Sequence, residues 1–172
     1  GDGGDGGDVS FTAQKASGGK APKAIEGLGS DSTDADVRNA ARGIQLTTTG
    51  GAGGNGGWAE SKGGLKDADG GVGGTGGDGG TATLSLKDGH YFTYNASGTA
   101  DGGVGLLVSS QGGRGGGAGY GEVDGWDADD AYGGNGGDGG NGGTVNVSAS
   151  SALSTIVTTG PVGIYISSIG GG

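Results

Sequence analysis

Four aromatic residues are the side chains in this sequence best suited to binding. They are Trp58, Tyr120, Trp126 and Tyr132. They occur in or beside two acidic stretches, residues 58–69 and 120–132, where few apolar partners are available. Exposed aromatic rings near Asp and Asn side chains suit the recognition of sugars or protein surfaces. The equally open alternative is that the rings fold back over the glycine-rich segments that flank them.

The residue types that catalysis needs are sparse. The chain has no cysteine and a single histidine, His90, so the usual nucleophile and base combinations are missing. His90 falls in residues 87–91, which read as a hairpin turn. A carboxylate pair for sugar hydrolysis is conceivable within residues 122–130, but flexible surface acids are the commoner interpretation. We therefore expect no enzyme activity and assign no catalytic residue.

The carboxylates give only a weak indication of calcium binding. Asp124, Asp127, Asp129 and Asp130 offer hard oxygen ligands, but their spacing matches neither an EF-hand loop nor the glycine-rich nonapeptide calcium repeat. We expect no metal site and no cofactor, and we interpret most of the acids as a solvated face that keeps a glycine-rich surface soluble.

Charge and hydropathy narrow the choice of partners. The net charge of −10 argues against nucleic acid, whose phosphates bind basic surfaces. No apolar run approaches the length of a membrane-spanning helix, so we expect no membrane insertion by this segment.

Glycine accounts for 52 of the 172 residues and follows a period of three, with two glycines and then one variable residue. Six runs show this rhythm: residues 1–7, 50–57, 70–80, 112–119, 133–143 and 170–172. The period fits neither an α-helix nor a strand, but it fits the left-handed extended helix with three residues per turn. Because that helix has no internal hydrogen bonds, its backbone groups must pair with neighbouring segments. The sequence therefore predicts packed polyglycine-II helices.

Short segments of alternating polar and apolar residues follow these runs. One set comprises residues 9–11, 82–86 and 145–148, and the second comprises residues 43–47, 105–109 and 163–167. Alternation is typical of a strand with one buried face, so we expect two strands in each repeat. The apolar residues expected to face one continuous core are Val9, Phe11, Ile44, Leu46, Leu84, Leu86, Leu106, Val108, Val145, Val147, Ile164 and Ile166.

No single repeat can bury its apolar face alone, whereas stacked repeats can. We therefore predict an all-β fold: a repetitive β-solenoid of three imperfect coils with packed polyglycine-II helices. The single repeat domain, residues 1–172, would comprise unit one at 1–57, unit two at 70–119 and unit three at 133–172. Residues 58–69 and 120–132 would be loops. The glycine rhythm at both ends suggests a fragment or tandem unit of a longer array.

Residues 135–172 resemble the glycine-rich repeats of bacterial autotransporter passengers, a class of type V secreted surface adhesins. The resemblance rests on GGDGGNGGTVNVS at residues 136–148, on Thr159-Gly160 and on GIYISSIGGG at residues 163–172. In the earlier repeats only the frame is kept, as in residues 105–113. The resemblance implies a secreted, surface-displayed region that serves adhesion or structure.

These observations predict a non-enzymatic extracellular or cell-surface protein, a rigid rod that displays adhesive loops to a carbohydrate or to a host or surface protein. The alternative is a self-assembling filament or matrix subunit, with a phage tail-tip adhesin or an ice-binding protein as remoter possibilities. Because exposed strand edges are templates for association, we also expect head-to-tail self-association or coverage by further repeats of the same chain.

Overall fold

The structure is a computed structural model that describes residues 1–13, 24–28, 42–62, 67–88, 90–95, 104–124, 130–150, 156–159 and 162–172. These residues form 13 β-strands separated by glycine runs, and none of them is helical. The strands are β1 (Val9–Ala13), β2 (Ala24–Leu28), β3 (Arg42–Thr49), β4 (Ala59–Lys62), β5 (Ala68–Asp69), β6 (Ala82–Leu86), β7 (Tyr91–Asn95), β8 (Val104–Gln111), β9 (Gly121–Asp124), β10 (Ala131–Tyr132), β11 (Val145–Ala149), β12 (Ile156–Thr159) and β13 (Val162–Ile169). The predicted all-β class is confirmed.

The strands pair in parallel and in the same order in every sheet. Three sheets have three strands each, ordered β1-β6-β11, β2-β7-β12 and β3-β8-β13, and two sheets pair β4 with β9 and β5 with β10. We call the strands and runs of one level a tier. The first tier holds β1–β4 with runs 1–7 and 50–57, the second β5–β9 with runs 70–80 and 112–119, and the third β10–β13 with runs 133–143 and 170–172. The second tier therefore lies between the other two in each three-stranded sheet.

The six segments expected to be strands lie in β1, β3, β6, β8, β11 and β13, which confirms them. The expectation of two strands per repeat is wrong, because a further strand (β2, β7 or β12) lies between the two in every tier. These strands lack a shared alternating pattern, and their pairing with one another defines them. Residues 58–69 and 120–132, expected to be loops, also contain the paired short strands β4, β5, β9 and β10. The hairpin interpretation of residues 87–91 is also wrong, since β6 and β7 belong to different sheets and do not pair with each other.

Backbone hydrogen bonds join each glycine run to its neighbours. In run 70–80, Gly73 N–H donates to the Asn135 carbonyl oxygen at 2.8 Å, and Gly74 N–H donates to the Gly54 carbonyl oxygen at 2.8 Å. The same two directions recur at every third residue of this run. Adjacent glycines of one triplet in this run therefore bond to different runs, one in the third tier and one in the first tier.

The order of these bonds defines the direction of the runs. The bond from Gly3 N–H to the Thr75 oxygen is followed by one from Gly6 N–H to the Asp78 oxygen, so runs that are two apart in sequence are parallel. Consecutive runs pair with opposite chain directions, and each run donates to the run before it. Each of the two runs of the second tier is consequently bonded to four others.

Carbonyl oxygens of neighbouring runs occupy the space where many of these glycines would carry a side chain. A Cβ on Gly74 would overlap the Gly1 carbonyl oxygen, and a Cβ on Gly77 would overlap the Gly4 carbonyl oxygen. The third residue of the triplet escapes this limit, and Thr75 is exposed. A Cβ on Gly73 or Gly76 would likewise overlap the Gly116 or Gly113 carbonyl oxygen, so close approach of the backbones requires both glycines in these triplets of run 70–80.

The buried core lies in the second tier. Its fully buried large apolar side chains are Leu84, Leu86, Leu106 and Val108. Leu46 is also buried, and the partly buried side chains packed against this cluster include Val9, Ile44, Val145 and Val147. The expectation that these residues face one core is confirmed.

Three expected core residues are instead exposed: Phe11 by 38%, Ile164 by 47% and Ile166 by 50%. Ile164 and Ile166 pair with Leu106 and Val108, which are fully buried. Phe11, Ile164 and Ile166 all lie in the first and third tiers, whose strands pair, within the described residues, with the second tier on one side.

A ladder of hydroxyl groups joins the strands to the ends of the glycine runs. Ser110 Oγ donates to the Gly80 carbonyl oxygen at 2.7 Å and accepts the N–H of Gly143 at 2.9 Å. Thr48 Oγ1 donates to Ser110 Oγ at 2.9 Å, and Ser168 Oγ donates to the Gly143 oxygen at 2.7 Å. These three hydroxyl groups lie at paired positions of β3, β8 and β13, one in each tier, and they hold the glycine runs against that sheet.

Gly137→Val should destabilise the fold strongly, because a Cβ there would overlap the Gly74 carbonyl oxygen. We expect a loss of about 3 kcal/mol or more in the free energy of unfolding, measured by urea denaturation. Asp138→Asn, at the adjacent exposed position, is the control and should be nearly silent. Equal effects of the two substitutions would contradict the close packing of the runs.

Leu106→Ala should cost about 2–5 kcal/mol of stability, because it empties a fully buried site. Ile164→Ala, at the paired position of the third tier, should cost about 1 kcal/mol or less, because that side chain is already half exposed. Urea denaturation of both variants tests the difference, and similar losses would show that the third tier is covered in solution.

Candidate functional site

Trp58 and Tyr120 form a pair of exposed aromatic rings at the point where two glycine runs end. Each ring directly precedes a strand, β4 or β9, and these strands pair with Ala59 opposite Gly121. The Ala59 N–H donates to the Tyr120 carbonyl oxygen at 3.0 Å, which fixes the two rings in adjacent tiers. The ring centroids are 6.0 Å apart with the planes tilted by 39°. The side chains are 52% and 62% exposed, so the structure brings together two of the predicted site residues and leaves them accessible.

Charged side chains continue from the two rings along the strands. Because alternate residues of a strand face the same side, Glu60 and Lys62 follow Trp58, and Glu122 and Asp124 follow Tyr120. We call these six residues the aromatic–acidic face: Trp58, Glu60, Lys62, Tyr120, Glu122 and Asp124.

Ion pairing offsets part of the negative charge of the aromatic–acidic face. Glu60 lies opposite Glu122, and Lys62 lies opposite Asp124. Lys62 Nζ lies 2.8 Å from Glu60 Oε1. This hydrogen bond and the charge of Glu60 raise the pKa of Lys62, with smaller contributions from Asp124 and Glu122. Lys62 forms its ion pair with Glu60, so the carboxylates of Glu122 and Asp124 add negative charge and acceptor oxygens to the face.

Tyr132 lies on the neighbouring strand β10, opposite Asp69 of β5. Its side chain is 51% exposed, and its hydroxyl donates to Asp130 Oδ2 at 2.8 Å. The hydrogen bond to Asp130 raises the pKa of the Tyr132 hydroxyl, helped by the charges of Asp130, Asp67 and Asp69. A Cβ on Gly121 would lie 2.9 Å from the Tyr132 carbonyl oxygen, so β10 runs beside the strand that follows Tyr120. Trp126, the fourth predicted residue, lies outside the described residues.

The acids in and directly after the first glycine run have a structural role that the sequence interpretation missed. Asp2, Asp5 and Asp8 each use Oδ1 to accept a backbone N–H of the second tier, from Thr75, Asp78 and Thr81, at 2.9, 2.9 and 2.6 Å. The bonding is repeated one tier on, where Asp78 Oδ1 accepts the N–H of Asn141 at 2.7 Å. The interpretation as a solvated face was incomplete, because these exposed carboxylates also satisfy the third N–H of the triplet.

An Asn side chain has the same role between runs 50–57 and 112–119. There Asn55 Oδ1 accepts the N–H of Gly117 at 2.9 Å. The signal available in the sequence is the recurrence of Asp or Asn at the variable position in several runs. Only the pairing of the runs shows that an N–H of the next tier faces each of these oxygens.

Within the described ranges, no three His, Cys, Asp or Glu side chains are arranged to hold a metal ion. Those ranges also contain no helix long and apolar enough to cross a membrane.

What the site offers is a pair of accessible rings with carboxylates beside them, an arrangement suited to binding. Searches with protein-family models, against curated proteins and against solved structures found no match for this chain.

The Asp2 carboxyl should titrate below its ordinary pKa of 3.8, because the backbone N–H of Thr75, followed by the Thr75 hydroxyl, stabilises the charged form. Its contribution to stability is present above the unfolded-state pKa and is lost as the pH falls through the lower folded-state pKa. In an NMR titration, the Thr75 amide shift should follow the same midpoint as the Asp2 carboxyl.

Asp2→Asn is the matched control for this titration. Its amide oxygen can still accept the Thr75 N–H, as Asn55 does for Gly117, so the fold should persist while the acid-dependent shift of Thr75 disappears. A Thr75 amide shift that ignores the ionisation of Asp2 in the unmodified chain would contradict the assigned bond.

Proposed function

We propose that this chain is a rigid segment of a non-enzymatic extracellular or cell-surface protein, a β-solenoid whose three coils are the three tiers. The glycine runs would be polyglycine-II helices packed side by side. The support is the period of three in their hydrogen bonds, in which successive N–H groups bond to different neighbouring runs. The resemblance of residues 135–172 to autotransporter passengers supports a location at the cell surface.

We further propose that the rod is adhesive and that the aromatic–acidic face is its contact surface. The observation that carries this proposal is the exposed Trp58–Tyr120 pair, with centroids 6.0 Å apart. Burying an aromatic ring contributes a large apolar area at a low cost in conformational entropy, which is why Trp and Tyr dominate binding surfaces. Because a glycine run fixes the backbone next to each ring, little order would have to be created on binding.

The chemistry of the face favours a carbohydrate ligand. Two neighbouring rings offer an apolar platform for the C–H faces of sugar rings, and Glu60, Glu122 and Asp124 offer carboxylate oxygens to sugar hydroxyl groups. Lys62 supplies a donor. Few polar groups beside an apolar platform are enough to orient a ligand. An acidic protein partner would be repelled by the same carboxylates.

The test measures binding of the chain to a panel of soluble polysaccharides, comprising a mannan, a β-glucan, a chitin oligosaccharide and a bacterial capsular polysaccharide, by isothermal titration calorimetry. At least one should bind. Trp58→Ala and Tyr120→Ala should each weaken that binding about tenfold or more, which corresponds to about 1.4 kcal/mol.

Val72→Ala is the matched control, because Val72 is 68% exposed and lies in the middle of a glycine run rather than on the aromatic–acidic face. It should leave the affinity unchanged. Binding that survives the removal of both rings, or the absence of binding to every member of the panel, would count against a carbohydrate-binding face.

A further inference from the structure

We propose that the exposed side of the third tier binds the exposed side of the first tier of a second copy of this chain, so that copies associate head to tail. The inference rests on the stacked architecture proposed above but not on the adhesive role of the aromatic–acidic face. Three independent features of the two end tiers point to this partner.

The first feature is the exposure of apolar side chains in the end tiers. Leu84, Leu106 and Val108 of the second tier are 0% exposed, because a tier covers them on each side. Their paired residues in the end tiers include Phe11 at 38%, Ile164 at 47% and Ile166 at 50% exposure. A second copy placed in the same register would set Ile164 and Ile166 against Ile44 and Leu46 and complete the burial.

The second feature is glycine retained where the chain itself leaves room for a side chain. Gly4, Gly77 and Gly140 are equivalent, since each accepts a hydrogen bond from the following run of its own tier. A Cβ on Gly77 would overlap the Gly4 oxygen, and one on Gly140 would overlap the Gly77 oxygen, whereas a Cβ on Gly4 would have nothing within 4 Å.

Gly7 repeats this exception three residues later. A Cβ there would also have nothing within 4 Å, whereas one on Gly80 would overlap the Gly7 oxygen and one on Gly143 would overlap the Gly79 oxygen. Glycine at positions 4 and 7 becomes sterically necessary when another glycine run packs against the first tier. The third tier of a second copy supplies such a run.

The third feature is the complementarity of the backbone groups. Gly3 N–H donates to the Thr75 oxygen and Gly76 N–H donates to the Asp138 oxygen, whereas the equivalent Gly139 N–H has no partner in the described part of the chain. In the register that continues the stack, Gly139 N–H would donate to the Asp2 carbonyl oxygen of the second copy.

The side chain of Asp138 completes this match. Asp138 is the third-tier equivalent of Asp2, whose carboxylate in the first tier accepts the N–H of Thr75. It would accept the N–H of Asp2 of the second copy, and Asn141 would likewise accept that of Asp5. The backbone and carboxylate hydrogen bonds that join the first tier to the second would thus recur across the contact.

Charge opposes this contact and makes it sensitive to salt. The chain carries a net charge of −10, and the register would bring Asp138 beside Asp2 of the second copy. Added sodium chloride screens such repulsion over a distance of about 10 Å at 0.1 M. Association should therefore strengthen from low to moderate salt.

Sedimentation velocity over a range of protein and sodium chloride concentrations tests the proposal. The unmodified chain should form dimers and longer species that increase with both variables. The double variant Gly4→Ala, Gly7→Ala should remain monomeric with an unchanged unfolding midpoint, because the added methyl groups meet open space within the chain and carbonyl oxygens in the second copy.

Gly136→Ala is the matched control. Its Cβ would lie 3.4 Å from the Gly116 oxygen, and the equivalent glycine, Gly73, faces a run of its own tier rather than the next tier. This variant should associate like the unmodified chain.

Ile166→Arg is an independent variant that does not rely on glycine. It places a bulky charge on the third-tier face at a half-exposed position and reduces the negative charge of the chain, so a loss of association cannot be due to greater repulsion. It should also be monomeric.

Two results would overturn the proposal. One is an unmodified chain that stays monomeric under every condition, which would leave a further repeat of a longer polypeptide as the occupant of these faces. The other is undiminished association of the Gly4→Ala, Gly7→Ala variant and of Ile166→Arg. Neither result bears on polysaccharide binding by the aromatic–acidic face, which is measured separately.

Discussion

The structure depends on one constraint, which is that an extended glycine run cannot satisfy its own backbone hydrogen bonds. Each triplet presents N–H groups in different directions, and the two glycines bond to carbonyl oxygens of two neighbouring runs. The third N–H is satisfied in several places by an Asp or Asn side chain of the preceding tier. The entropy cost of ordering the chain is therefore offset largely by hydrogen bonds between the backbones of neighbouring runs. The absence of side chains makes that pairing sterically accessible.

The strands add the apolar burial that the glycine runs lack. They are stacked in register with the runs, so a thin core forms around Leu84, Leu106 and Val108, and the fully buried large apolar side chains all lie in the second tier, which has a neighbour on both sides. The hydroxyl of Ser110 bonds to glycine backbone at Gly80 and Gly143 and thus connects the two parts of the structure. A shift of one strand by a single residue would break both the core and this connection.

The same register positions the candidate binding surface. Trp58 and Tyr120 are far apart in the sequence, yet each is the first bulky residue after a glycine run, and the runs are bonded to each other. The rings are adjacent because their backbones have no freedom to separate. A repeat architecture of this kind can vary the residues that follow each run without disturbing the runs themselves, which suits a protein that presents binding residues on a rigid support.

Local pattern was sufficient to predict the glycine runs and six of the thirteen strands, but not β2, β7 and β12 or the short strands in residues 58–69 and 120–132, which had been expected to be loops. The period of three identified the glycine runs, and alternation identified β1, β3, β6, β8, β11 and β13, because both signals depend on a few adjacent residues. Exposed aromatic residues beside the runs were likewise visible as candidates. The tertiary structure alone decided which run bonds to which, because the runs are nearly identical and any pairing is locally acceptable. For the same reason it alone placed Trp58 against Tyr120, gave Asp2 a backbone partner, and left Ile164 exposed while its equivalent Leu106 is buried.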